Sequence, residues 1–265
     1  MDLSQYQTVV MDWGIGGLSV YREIKRLDPA RSIVYFSDSG TEPYGKLSPR
    51  GLEARVSTVC EFFIQHGLRE MVIACNAAST AAPQLRKQFD ASGLHISDII
   101  SSGIRTVQST SFRRVAVVGG RRTILSRIYQ RALSTPRRHV VGRIAQPLSA
   151  LIERGELDSP VMRDTLQKIL YPLRDADALL LACTHYPAIR HLIAPLVPDA
   201  QLLDPSVAAA QELLACKNSA RSISRRDIFL TTGDPKQSAR VAAIAFGTNV
   251  ECFVKVKADL RVRKL

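Results

Sequence analysis

Cys75 and Cys183 are the residues of this chain best placed to do chemistry, because each closes a short apolar run and is followed by hydrogen-bonding residues. Met71 to Ala74 and Ala178 to Ala182 read as buried parallel strands, so each thiol is expected at a strand's carboxyl end, where open α/β sheets bind their ligands. Asn76 with Ser79 follows the first cysteine, and Thr184 with His185 follows the second. Each group precedes a helix whose N-terminal dipole favours thiolate. His185 is the histidine whose neighbours make its titration useful. Asp12 ends another expected strand, Thr8 to Met11, where an acid can contact a ligand, orient a proton carrier or cap a helix. Cys60, Cys216 and Cys252 lie in ordinary helix-like or strand-like surroundings and read as small apolar residues.

The elements that must carry these residues alternate strand with helix, the pattern of parallel sheets with helices on both faces. Strands are expected at Thr8 to Met11, Ile33 to Phe36 and Met71 to Ala74. Helices are expected at Leu18 to Leu27, Arg50 to His66 and Ala77 to Phe89, the last capped by Asn76. A similar series restarts with Val115 to Val118, a helix at Thr123 to Leu133, a weaker strand at Val140 to Ile144, a helix at Ser159 to Leu173 and the strand Ala178 to Ala182. A helix from Val207 to Leu214 and the unit Ile228 to Phe246 return to the first half. The expectation is therefore a fold of two similar α/β domains, residues 1–93 plus 205–265 and residues 94–204, with one cysteine in each. Gly14-Ile15-Gly16-Gly17 follows the first strand and approaches the dinucleotide fingerprint, with Asp38 as ribose ligand, but Ser19 stands at its third glycine. The alternative is a turn that brings backbone N–H groups close to a carboxylate or phosphate.

The 265 residues can bury a large core, and 46% hydrophobic with 23% charged residues is ordinary for a globular protein. No apolar stretch is long enough to span a bilayer, and Met1 to Gln5 lacks the regions of a signal peptide, which points to the cytoplasm. Five cysteines without an export signal are expected as reduced thiols, and no cysteine or histidine spacing suggests a structural metal. The net charge of +12 gathers in Arg121 to Arg143, Arg221 to Arg226 and the tail Lys255 to Lys264. Such a surface attracts polyanions, yet no aromatic-interleaved basic stripe or DNA-binding module accompanies it, so nucleic acid is not the expected main partner.

With these residues in view, the chain resembles the glutamate racemases of the cofactor-independent aspartate/glutamate racemase superfamily. The blocks that carry the resemblance are Met11 to Val20, Tyr35 to Asp38, Pro43-Tyr44-Gly45, Val72 to Ser79 and Leu181 to Pro187, in the family's order. It implies two α/β domains with the active site between them, an amino-acid substrate, no cofactor, and a 1,1-proton transfer in which one cysteine removes the α-proton while the other delivers one to the opposite face. It implies further that Asp12 assists Cys75, that His185 assists Cys183, and that Glu153 is an acid near the second cysteine. Trp13, Pro43, Tyr44, Gly45, Asn76, Ala77 and Thr184 fall at substrate-binding positions.

The chain departs from the family where the substrate is recognised: Trp13 stands for the usual serine, Ala77 for a threonine, Ala182 for a glycine, and Ser37 to Glu42 differs from the usual loop. The leading expectation is interconversion of L- and D-glutamate for peptidoglycan synthesis, with a homodimer as the assembly to test. One alternative is the same mechanism on another amino acid; the other is a racemase-like binding protein with weak catalysis.

Overall fold

The computed structural model describes residues 3–215 and 226–260, so Cys216, Arg221 to Arg225 and the end of the basic tail lie outside the described residues. Two parallel sheets organise the chain. The first contains β1 (Thr8–Asp12), β2 (Ile33–Ser37), β3 (Glu70–Ile73) and β4 (His95–Asp98), and the second contains β5 (Arg114–Gly119), β6 (His139–Ile144), β7 (Ala178–Ala182) and β8 (Gln201–Leu203); β9 (Ile228–Thr231) and β10 (Val254–Lys255) then rejoin the first. The strand orders are β10-β9-β2-β1-β3-β4 and β6-β5-β7-β8. β1, β2 and β7 are buried along their whole length, which is why they read as unbroken apolar runs.

β4 pairs with β3, so the change of sheet expected near residue 94 falls inside the first sheet, beyond Asp98. Its alternating exposure, with His95 out and Ile96 in, is that of a short edge strand, too brief to show a period in the sequence. Two expected helices are broken in the structure. The one after Cys75 divides into Asn76–Ser79 and Ala82–Phe89, with Pro83 near the start of the second piece. Asn76 is the first helical residue rather than the cap; Cys75 holds the cap position and no side chain bonds there. The stretch from Thr123 to Leu133 divides into Arg121–Leu125 and Ile128–Leu133 at Arg127, whose φ of 55° places a non-glycine residue in the left-handed region.

One apolar cluster joins the two halves. Val10, Tyr35 and Val72 of the first sheet share it with Ala116, Leu179 and Leu181 of the second, and with Leu151, Ala209, Leu213, Val241 and Phe246 from helices. The helix Pro205–Ala215 packs against both Leu18–Leu27 and Ile99–Gln108, and carries the chain back to the first sheet. No helix of the described residues is long and apolar enough to cross a membrane.

Candidate active site

The carboxyl ends of β1, β3 and β7 meet between the two sheets. Asp12 is the last residue of β1 and is fully buried. Its Oδ1 accepts the Trp13 backbone N–H at 2.7 Å, and its Oδ2 accepts the Thr184 hydroxyl at 2.9 Å, a bond that crosses from one half of the chain to the other. Cys75 lies two residues beyond β3, with the Asp12 carboxylate as its charged neighbour. Burial and then the Asp12 charge push the Cys75 thiol well above its ordinary value, against a pull downward from the Ala78 backbone N–H. The thiolate expected there from the helix dipole therefore gives way to a thiol, because the following helix is only Asn76–Ser79 and Cys75 is buried.

Cys183 follows β7 directly, and its Sγ lies 3.7 Å from His185 Nδ1. The other ring nitrogen, Nε2, lies 2.6 Å from Glu153 Oε1, at the end of the helix Gln146–Glu153. Burial alone would lower the His185 pKa, but the hydrogen bonds to Cys183 and Glu153, with their negative charges, raise it well above 6.5. The ring, favoured in its charged form, lies between the Cys183 sulfur and the Glu153 carboxylate. Negative charge on Cys183 also opposes ionisation of Cys75, so the two sulfur atoms belong to one electrostatic site.

The glycine turn after β1 is shaped by the opposite half of the molecule. A Cβ on Gly14 would stand 1.8 Å from Glu153 Oε1, and one on Gly16 would stand 2.6 Å from His185 Nδ1 and 2.7 Å from Thr184 Oγ1. Glu153 Oε1 also accepts the Ile15 backbone N–H at 2.9 Å. A side-chain carboxylate, rather than a phosphate, receives the N–H of this turn. Asp38 is likewise no free ribose ligand: it is fully buried, bonded to Arg55, Thr232, Thr41 and the Tyr44 hydroxyl, the last at 2.6 Å. That network fixes the loop Pro43-Tyr44-Gly45 from below.

Asn76 is buried; its Oδ1 accepts the Tyr129 hydroxyl at 2.9 Å, while its Nδ2 is buried with no partner among the described residues. Ala77 and Gly45 are partly exposed nearby in sequence to these groups, as is Pro43. Trp13 is partly buried and its indole N–H donates to the Thr41 carbonyl at 3.2 Å. Tyr44 and Thr184 use their hydroxyls on Asp38 and Asp12 respectively, which leaves their backbone groups as the parts able to meet a ligand. Tyr129 and Tyr186 were not singled out by the sequence. The Tyr186 hydroxyl donates to the Ala145 carbonyl at 2.8 Å, burial and then the Cys183 charge push its pKa well above the ordinary value, and its place in Cys-Thr-His-Tyr-Pro was the available signal. Of the remaining cysteines, Cys60 is buried against Met71, its thiol pushed up to about 12 by burial first and the Glu61 charge second, whereas Cys252 is exposed rather than an apolar core residue. Among the described residues no group of three or more His, Cys, Asp or Glu could hold a metal ion.

Two parallel sheets whose strand ends bring Asp12, Thr184, His185 and Glu153 together define a two-domain α/β fold with a cleft site, and the relatives of this chain are isomerases. The chain belongs to the Asp/Glu/Hydantoin racemase family, whose profile matches residues 9–213. The glutamate racemase of Stutzerimonas stutzeri is 35% identical over 256 residues, 92% of this chain and 96% of that one. The crystal structure of glutamate racemase from Thermus thermophilus in complex with β-chloro-D-alanine superposes with a TM-score of 0.86 at 28% identity, covering 98% of this chain and 100% of that one. That of Francisella tularensis in complex with D-glutamate gives 0.85 at 25%, covering 97% and 99%.

Proposed function

We propose that this racemase interconverts L- and D-glutamate by two-thiol proton transfer, supplying the D-enantiomer for peptidoglycan synthesis. The observation that carries the reading is the unequal provision for the two cysteines: an acceptor, Asp12, beside the Cys75 thiol, and a donor, the His185 imidazolium backed by Glu153, beside Cys183. In one direction the Cys183 sulfur takes the α-proton. The Cα–H bond breaks, an S–H bond forms, and the Cys75 thiol protonates the opposite face of the carbanion. In the reverse direction Asp12 accepts the Cys75 proton as that sulfur becomes the base, and His185 supplies Cys183. Both thiols must stay reduced, which suits the cytoplasm. The orphan Nδ2 of Asn76, the backbone groups of Tyr44, Gly45 and Thr184, and Pro43 would hold the carboxylates and ammonium.

Glutamate as substrate is favoured by the relatives that share the fold and the sequence, one of them in complex with D-glutamate. A second reading, the same chemistry on another amino acid, is favoured by Trp13 and Ala77, which offer the substrate no hydroxyl. The deciding experiment incubates single enantiomers in D2O without pyridoxal phosphate and follows α-deuteration by mass spectrometry. Exchange with both glutamate enantiomers is expected. Exchange confined to another amino acid establishes the second reading, and silence with every amino acid leaves a binding protein. Cys75→Ser and Cys183→Ser are each expected to lower turnover by at least about a hundredfold, the scale of a lost acid or base; near-normal turnover in either ends the two-thiol scheme.

A further inference from the structure

Tyr129 reaches from the core of the second sheet to the residue that follows Cys75. Its ring is buried and belongs to the apolar cluster that also holds Ile100, Val117, Ile124 and Leu180. Its hydroxyl donates at 2.9 Å to Oδ1 of Asn76, the first residue of the short helix beyond the first sheet's β3. The slot for this hydroxyl is cut into the helix Ile99–Gln108, where a Cβ on Gly103 would stand 2.8 Å from Tyr129 Oη and 3.1 Å from Cε1. Glycine inside a helix is less stable than alanine, so the chain carries a weaker helix at the point where the phenol enters.

The bond also decides which way the Asn76 amide faces. A side-chain amide has an acceptor end and a donor end, and turning it over exchanges them. Burial first and the Asp98 charge second hold the Tyr129 pKa well above its ordinary value, so the phenol keeps its proton and needs an acceptor. That acceptor is Asn76 Oδ1, and an overturned amide would take it away and leave a buried donor unpaired, at more cost than one hydrogen bond returns. Oδ1 is therefore tied to the opposite half of the molecule. Nδ2, buried with no partner among the described residues, is the end left to donate.

From this arrangement we infer that Tyr129 is a positioning residue for substrate binding: its hydroxyl locks the Asn76 carboxamide with the N–H2 end free for a carboxylate of the amino acid, one residue from the Cys75 thiol. The assignment rests on the reading of Asn76 as a group that holds the substrate and extends it to a residue 53 positions along the chain, which acts through the amide. A donor oriented before the ligand arrives loses little rotamer freedom on binding, so the hydroxyl acts on affinity.

Tyr129→Phe removes the hydroxyl and keeps the ring, so the apolar cluster stays filled and the circular dichroism of the parent is expected. Steady-state racemisation of the full chain is measured from both enantiomers of glutamate, or of whichever amino acid exchanges its α-proton. KM is expected to rise about tenfold, the scale of a hydrogen bond to a charged group, while kcat stays near the parent's, because the interaction lost is one made equally in the bound substrate and the transition state. Asn76→Ala is expected to raise KM on its own, and Tyr129→Phe added to it to raise KM no further, since the phenol acts only through the amide. A tyrosine that merely supports the fold would instead have the same effect in both backgrounds. An unchanged KM in Tyr129→Phe, or effects of the two variants that multiply, overturns the assignment and leaves the racemase reading intact. An unchanged KM in Asn76→Ala, or a parent silent with every amino acid, overturns the reading of the site and the assignment with it.

Discussion

At the residue level the two thiols are held in opposite readiness. Cys75 sits beside a carboxylate in a buried setting that favours its proton; Cys183 sits beside a charged ring. Glu153 ties the Cys183 side of the site to the glycine turn, because one oxygen serves both the His185 ring and the Ile15 N–H. A raised histidine pKa in the folded state means stability that is fully present below about 6.5, the unfolded value, and lost as pH rises through the higher folded value. With the Cys183 contact left in place, Glu153→Gln removes one of the two charges that raise it. The parent's advantage over this variant in urea denaturation is therefore expected to shrink as pH rises above 6.5; a constant difference would show that His185 is not the group responsible.

At the level of elements, the glycine turn after β1 is a contact surface between the halves. Gly14→Ala places a methyl against the Glu153 carboxylate and must displace it, so turnover is expected to fall by at least about tenfold while the fold, read by circular dichroism, persists. Unchanged turnover would separate Glu153 from the chemistry. Much of this was legible in the chain. β1, β3 and β7 announce themselves as apolar runs, and an open parallel sheet puts its ligands at strand ends, so Asp12, Cys75 and Cys183 could be placed without coordinates. The local pattern could not show what approaches the turn from 138 residues away, and the same glycines fitted a phosphate loop as well as they fit Glu153. Nor could it pair Tyr129 with Asn76, whose contact depends on how the two sheets face each other. β4, alternately exposed over four residues, and β10, exposed at both of its two, were missed because edge strands this short carry no period.

At the level of the whole molecule, the two sheets share one apolar cluster, with the helix Pro205–Ala215 wedged among elements of both. Leu213 is fully buried there. Leu213→Ala is expected to cost about 2–5 kcal/mol, the range for deleting a buried leucine side chain, and to lower one shared unfolding transition in calorimetry. Two separate transitions, with only one displaced, would mean that the halves unfold independently.

Trp13 has a consequence of another kind. It is the chain's only tryptophan, its backbone N–H is bonded to the Asp12 carboxylate, and its indole holds the Thr41 carbonyl in the loop that leads to Tyr44 and Gly45. Red-edge excited fluorescence of the unmodified protein therefore has a single emitter, seated between the Asp12 carboxylate and the Thr41 loop. Its emission colour and quenching form an optical record of that loop alone, free of any dye or background from the rest of the chain.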